Sequence, residues 1–120
     1  MITWNHYQLW LKDQLLMPLP RHLTCVQPPD IQTDTRTLAP KSWFLPLSGK
    51  NYNGHQYIQL AFSQKYALGA FCNSSYFACM PPNIRQNMIV VKDTLAAYQA
   101  IASGLRQFYS HIQTISLTGS

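Results

Sequence analysis

No glutamate occurs anywhere in these 120 residues; the acids are four aspartates, Asp13, Asp30, Asp34 and Asp93. Charged residues make up 11% of the chain, against about 25% in typical domains. The four aspartates show no spacing suited to paired acid–base work. The net charge of +5 therefore comes from missing acids more than from abundant bases. Lysines and arginines are scattered, which argues against a basic stripe that tracks a nucleic-acid backbone. No nucleic-acid partner is expected.

Cysteine is also scarce. Cys25, Cys72 and Cys79 form no CxxC pair, which argues against a disulfide framework and a zinc site of usual spacing. Free thiols in a reducing compartment are the expectation. His6, His22, His55 and His111 lack metal spacing, so no metal ligand is assigned. Neither HExxH nor GxSxG occurs, and no catalytic residue is assigned. His55 reads as a capping or packing residue. No apolar run approaches the ~18 residues of a membrane helix, and the start lacks a basic-then-apolar signal pattern. A cytoplasmic location without membrane insertion follows as an expectation.

What the chain has is alternation. Trp4, Tyr7, Leu11 and Leu15 recur at helical spacing, and Pro18 and Pro20 end that helix. DIQTDTRTL predicts a strand into a turn. KSWFLPLSG predicts a short buried strand, with Pro46 marking an edge or a strand end. NGHQYIQLAFSQKYALGA predicts a helix capped by Asn53, striped by Ile58, Ala61, Phe62 and Lys65, and stopped by Gly69. AFC and MIVV predict strands around a loop that contains Pro81-Pro82. KDTLAAYQAIASGLRQFY predicts the strongest helix, capped by Asp93 with a stripe of Leu95, Tyr98, Ala102, Leu105 and Phe108 or Tyr109; Gly104 inside it points to close packing there. TISL predicts a final strand. The order implies an α/β fold: a single small domain with a mixed sheet of about four to six short strands packed by about three helices.

Three stretches carry candidate chemistry. TDTR sets Thr33, Thr35 and Arg36 at a strand end, two hydroxyls and a rigid fork suited to phosphate or carboxylate. The alternative is a polar turn in which Asp34 pairs with Arg36 or holds the turn backbone. LSGKNYNGH supplies Ser48, Gly49, Lys50, Asn51 and Tyr52 before a helix, either a nucleotide loop or a plain capped loop. Finally, Thr118-Gly119-Ser120 after a β-prone run looks like the opening of a phosphate-binding loop without its lysine.

Taken together, TDTRTLAP, WFLPLSGKNYNGHQYIQLAFSQKYALGAF and IVVKDTLAAYQAIA resemble, in order and spacing, the N-terminal domain of the Mur ligases over residues 31–120. The kind that adds D-alanyl-D-alanine is resembled first, and the diaminopimelate- or lysine-adding kind second. Trp43, Pro46 and Asn53 depart from the family pattern, and residues 1–30 match only as a helix and Pro-rich loop of the same domain. The resemblance implies a domain that holds the UDP end of a UDP-MurNAc-peptide for an ATP-dependent amide-forming ligase, and that is inactive alone. It assigns substrate contacts to Thr33, Thr35, Arg36, Ser48, Gly49, Lys50, Asn51 and Tyr52, with residues 31–114 as the binding core. It implies that residues 115–120 lead into a central ATP-binding domain, with Thr118, Gly119 and Ser120 beginning its loop. No cofactor is implied in this stretch; ATP and Mg belong to the full-length enzyme, whose central and C-terminal domains would be its partners. A protein-interaction module on the same fold is the alternative.

Overall fold

The computed structural model describes residues 2–25, 30–49 and 52–119. In chain order the elements are α1 (Trp4–Trp10), a 3-10 turn (Arg21–Cys25), β1 (Ile31–Gln32), a 3-10 turn (Thr35–Thr37), β2 (Trp43–Phe44) and the strands β3 (Ser48–Gly49) and β4 (Tyr52–Asn53). A 3-10 turn (Gly54–Tyr57) leads into α2 (Ile58–Gln64), followed by β5 (Gly69–Asn73), α3 (Ser74–Phe77), α4 (Pro82–Arg85), β6 (Met88–Val91) and α5 (Thr94–Gly119). β1, β2, β5 and β6 form a parallel sheet in that order, and β3 pairs antiparallel with β4 as a separate hairpin. The four-stranded sheet is thus parallel and not mixed as expected; antiparallel pairing is found in the hairpin and in an isolated bridge from Leu15 to Val91.

Strand periodicity divides the core in two. Trp43, Phe71, Ile89 and Val91 pack with Trp4, Tyr7, Leu11, Ala97 and Ile101 on the face that α1 and α5 cover. Their neighbours Phe44, Ala70, Cys72, Met88 and Val90 pack with Ile58, Ala61 and Ile84 on the other face. A parallel sheet buried on both faces reads as continuous apolar runs, which is why MIVV and AFC carry no polar residue. Cys72 is fully buried, and desolvation pushes its thiol up to about 12; it packs as an apolar residue.

Several expectations change. The Trp4–Tyr7–Leu11 stripe is buried as its spacing predicts, but the helix ends earlier. Leu15 and Leu16 leave it to cover the open edge of β6, where the Leu16 N–H donates to Val90 O at 3.1 Å. Pro46 marks a strand end, since β2 is interior and stops at Phe44. Gly69 is not a helix stop; it opens β5 opposite Trp43, and a Cβ there would overlap the Trp43 ring. The Pro81-Pro82 segment is not irregular, because Pro82 occupies the first turn of α4, where its missing N–H costs nothing.

On α5 the buried face is Thr94, Ala97, Ile101 and Gly104, while Leu95 and Tyr98 are exposed. Both stripes have helical spacing; packing selects the smaller residues because Trp10 needs the room. A Cβ on Gly104 would overlap the Trp10 ring, the close packing that a glycine inside this helix implied. The expected TISL strand lies within α5, which runs to Gly119. No proline or glycine intervenes between Gly104 and Gly119, so nothing local interrupts the helical hydrogen-bond ladder.

Candidate functional site

The carboxyl ends of β1 and β2 open into a cleft of about 660 Å³ lined by Thr33, Asp34, Thr35, Arg36, Leu47 and Tyr57. Ligands in parallel α/β sheets sit outside the carboxyl ends of the strands, and this volume suits a small molecule. One side of the cleft is hydroxylic and charged. The other, Leu47 and Tyr57, is apolar and aromatic.

The polar side is held by its own turn. The Asp34 carboxylate accepts the Arg36 backbone N–H at 2.9 Å and caps the 3-10 turn. It also accepts Arg36 Nε at 3.1 and 3.2 Å and Nη2 at 2.8 Å. The Arg36 side-chain hydrogen bonds, followed by the backbone one, hold Asp34 below the ordinary carboxylate range. Both alternatives for Asp34, pairing and turn-holding, are thus realised. The pair is solvent-exposed and so orients the turn more than it stabilises the fold. Thr35 is buried at the base.

The second wall comes from the hairpin. The Gly54 N–H donates to Leu47 O at 2.8 Å, tying the Gly54–Tyr57 turn to the segment between β2 and β3 that carries Leu47. Ser48 Oγ donates to Asn53 Oδ1 at 2.9 Å, so Ser48 fastens the hairpin instead of lining the cleft. Gly49 sits on β3 and Tyr52 on β4; Lys50 and Asn51 lie outside the described residues. Of the residues expected from the sequence, Thr33, Thr35 and Arg36 line this cleft; Leu47 and Tyr57 line it too and were not among them. The available signal for Tyr57 was an aromatic residue just ahead of α2, four residues after the Asn53 cap. Thr118 and Gly119 are the end of α5, and Ser120 lies outside the described residues.

His55, 2% exposed, is the buried hub behind this wall. Its Nε2 accepts the Asn73 N–H at 3.1 Å, so the proton of the neutral ring sits on Nδ1, 3.0 Å from Asn53 Oδ1. Its ring stacks on Tyr76 with centroids 4.2 Å apart, and Asn53 Nδ2 donates to the Tyr76 hydroxyl. Burial holds the imidazole below its ordinary range, against a smaller opposing pull from Asp93. The capping-or-packing reading of His55 is the observed one.

A pH dependence of stability follows. The folded state disfavours the imidazolium, so the contribution of His55 is fully present above the unfolded value of about 6.5. It falls away as pH drops below that value toward the depressed folded one, because the unfolded chain then binds more protons. Urea midpoints should decline between about pH 7 and about pH 5, and His55→Gln should flatten that part of the profile. A midpoint that stays level in the parent chain would contradict this.

Among the described residues no three His, Cys, Asp or Glu side chains come together to hold a metal, and no helix is long and apolar enough to cross a membrane.

Comparison with known proteins accords with this fold. No family model matches the chain. It is 36% identical over 90 residues to a protein of Buchnera aphidicola subsp. Baizongia pistaciae, covering 75% of this chain and 18% of the relative. It is 34% identical over 92 residues to one from Bacillus subtilis, covering 75% and 19%. It is 35% identical over 95 residues to one from Haemophilus influenzae, covering 79% and 19%. The crystal structure of MurF from Acinetobacter baumannii superposes with a TM-score of 0.62 at 18% identity, over 88% of this chain and 21% of that one. In sequence and fold the chain is similar to the N-terminal domain of the Mur ligases. All three curated relatives are UDP-N-acetylmuramoyl-tripeptide–D-alanyl-D-alanine ligases, the enzyme called MurF, and it is the MurF domain that this chain resembles. The chain spans about a fifth of the length of these relatives.

Proposed function

We propose that the cleft takes the uridine diphosphate end of a UDP-muramoyl-tripeptide, as the substrate-holding domain of a cytoplasmic ATP-dependent ligase that adds D-alanyl-D-alanine to a peptidoglycan precursor. The carrying observation is the two-sided cleft at the carboxyl ends of β1 and β2, in a chain whose relatives bear that ligase's name. Thr33 and Thr35 offer hydroxyl donors to phosphate oxygens, the Asp34–Arg36 pair sets their turn, and Leu47 and Tyr57 offer an apolar wall to a base. In this reading Gly49, Lys50, Asn51 and Tyr52 face the same ligand from the hairpin.

The chemistry of amide formation belongs to the other domains of such a ligase. When bound in those domains, ATP with Mg would supply the phosphoryl group that activates the carboxylate. The described residues hold no cluster fitted to the metal, so no step is routed through either group here. The task of this domain is binding and orientation, which lowers the entropy of bringing the peptide end to a distant reacting centre.

Amide shifts of the 120-residue chain, followed during titration with UDP-muramoyl-tripeptide, UDP and ATP, test this reading. The first two should perturb Thr33, Thr35, Leu47 and Tyr57, and Thr35→Val should weaken both by about fivefold, the loss of one hydrogen bond. Equal or stronger perturbation by ATP, or silence at those four residues, would reject it.

A further inference from the structure

A chain of polar groups, exposed at Ser48 and buried at His55, runs beside the cleft and joins four elements. Ser48 and Asn53 belong to the hairpin, His55 to the turn that follows, Asn73 to the end of β5, and Tyr76 to α3. Asn73 Oδ1 in turn accepts the Thr94 N–H at 3.0 Å, at the first turn of α5. We propose that His55 is the positioning residue of the cleft: donating from Nδ1 to Asn53 and accepting at Nε2 from Asn73, it locks the hairpin and the Gly54–Tyr57 turn to the sheet, and a proton on Nε2 opens that lock and loosens the ligand.

Connectivity makes the link short. Of the two residues that form the cleft's apolar wall, Leu47 is covalently next to Ser48 and Tyr57 is two residues past His55. The Asn53 Oδ1 atom gathers the Ser48 hydroxyl at 2.9 Å, the His55 N–H at 3.1 Å and the His55 Nδ1–H at 3.0 Å. The lock is therefore built around a neutral ring. A proton on Nε2 would set an N–H against the Asn73 N–H at their present 3.1 Å. With the ring 2% exposed and stacked on Tyr76, it cannot turn away without carrying the hairpin off β5. The titratable groups that bear on the ring among the described residues are Tyr76 on α3, which stacks on it, and Asp93 ahead of α5, whose charge favours the proton. An aspartate at position 53 would do the same and could no longer donate to the Tyr76 hydroxyl; the asparagine present keeps the ring neutral and holds Tyr76.

The ligand arm of this proposal rests on the uridine diphosphate reading, whereas the structural arm does not. The test is an NMR titration of the whole chain, first without ligand, from about pH 8 to about pH 5. The His55 ring should show the Nδ1–H form at the upper end. The amides of Ser48, Gly49, Asn53, Tyr57 and Asn73 should move with its midpoint while Cys72 and Val90 stay still. UDP affinity should fall about tenfold across the same midpoint. Asn53→Asp should raise that midpoint by about one unit and carry the affinity profile up with it. His55→Gln, which keeps an acceptor for Asn73 and has no proton to gain, should bind UDP with only the pH dependence that the terminal phosphate of UDP itself brings, with its second ionisation near about pH 6, and should lose the part that follows the His55 midpoint. Hairpin amides indifferent to the His55 midpoint would overturn the proposal, as would Asn53→Asp moving the ring's midpoint but not the affinity profile. Coupled amides in a chain that ignores UDP at every pH would support the lock and reject only the ligand reading.

Discussion

Replacing Trp43 by alanine should cost about 3–5 kcal/mol of stability, the range for a fully buried aromatic. Trp43 is 1% exposed on an interior strand. Its ring meets Trp4 at 5.1 Å and Phe71 at 5.9 Å between centroids, both edge-to-face. Such pairs add to simple burial because the positive edge of one ring meets the negative face of the other. The neighbour beneath it is Gly69, which has no side chain with which to refill the space. The cavity would open where α1 joins the sheet, so α1 should loosen first. Small domains have about 5–15 kcal/mol in all, and the loss takes a large part of it. Chemical denaturation measures the change; a cost below about 1 kcal/mol would mean the core closes over the gap. The glycine offers an internal check. Gly69→Ala alone forces the Trp43 ring aside, whereas in the Trp43→Ala background the added methyl enters the cavity. The two substitutions should therefore be less harmful together than their sum, with a coupling of about 1 kcal/mol or more.

That pair also shows which features were legible in the sequence. The runs around Trp43, AFC and MIVV, the Trp4–Tyr7–Leu11 stripe and the cap at Asp93 follow from local periodicity and local hydrogen bonding, and they are found where expected, whereas TISL is helical; the Ala96 N–H does bond to Asp93 Oδ2 at 3.0 Å. TDTR was legible as a candidate, and lines the cleft, because its parts are adjacent in the chain. The role of Gly69 was not, because a glycine after a helix has a ready local explanation, and its partner Trp43 lies far off in sequence. The buried face of α5 was hidden for a related reason. Large residues mark a stripe more visibly than Ala97 and Gly104 do, yet the helix turns its small side toward Trp10. The left-handed backbone at Lys41 and Tyr66 carries no glycine or asparagine to announce it. A tertiary hydrogen bond, from the Lys41 N–H to Tyr66 O at 3.0 Å, joins the two. Likewise the cleft's apolar wall is assembled from Leu47 and Tyr57 by a contact across the hairpin, and no linear spacing encodes it.

That contact is the subject of the last prediction. Gly54 is buried, and a Cβ on it would lie 2.8 Å from Leu47 O and 2.9 Å from Leu47 N. Its φ is not positive, so the demand for glycine is one of space and not of conformation. The atoms in the way are backbone, which cannot rotate aside as a side chain would. Gly54→Ala should therefore push the Gly54–Tyr57 turn off the Pro46–Leu47 segment and lengthen or break the 2.8 Å bond from the Gly54 N–H to Leu47 O. Stability should drop by about 1–3 kcal/mol, the usual cost of forcing an extra carbon into close packing. Because Leu47 and Tyr57 part company when this bond goes, UDP affinity should fall by at least about tenfold, a loss typical of a misplaced binding wall. Gln56→Ala, at an exposed position of the same turn, is the matched control and should leave both quantities nearly unchanged. If Gly54→Ala lowers stability while UDP binds as before, the hairpin contact supports the fold alone and the cleft owes its shape to the Thr33–Arg36 side.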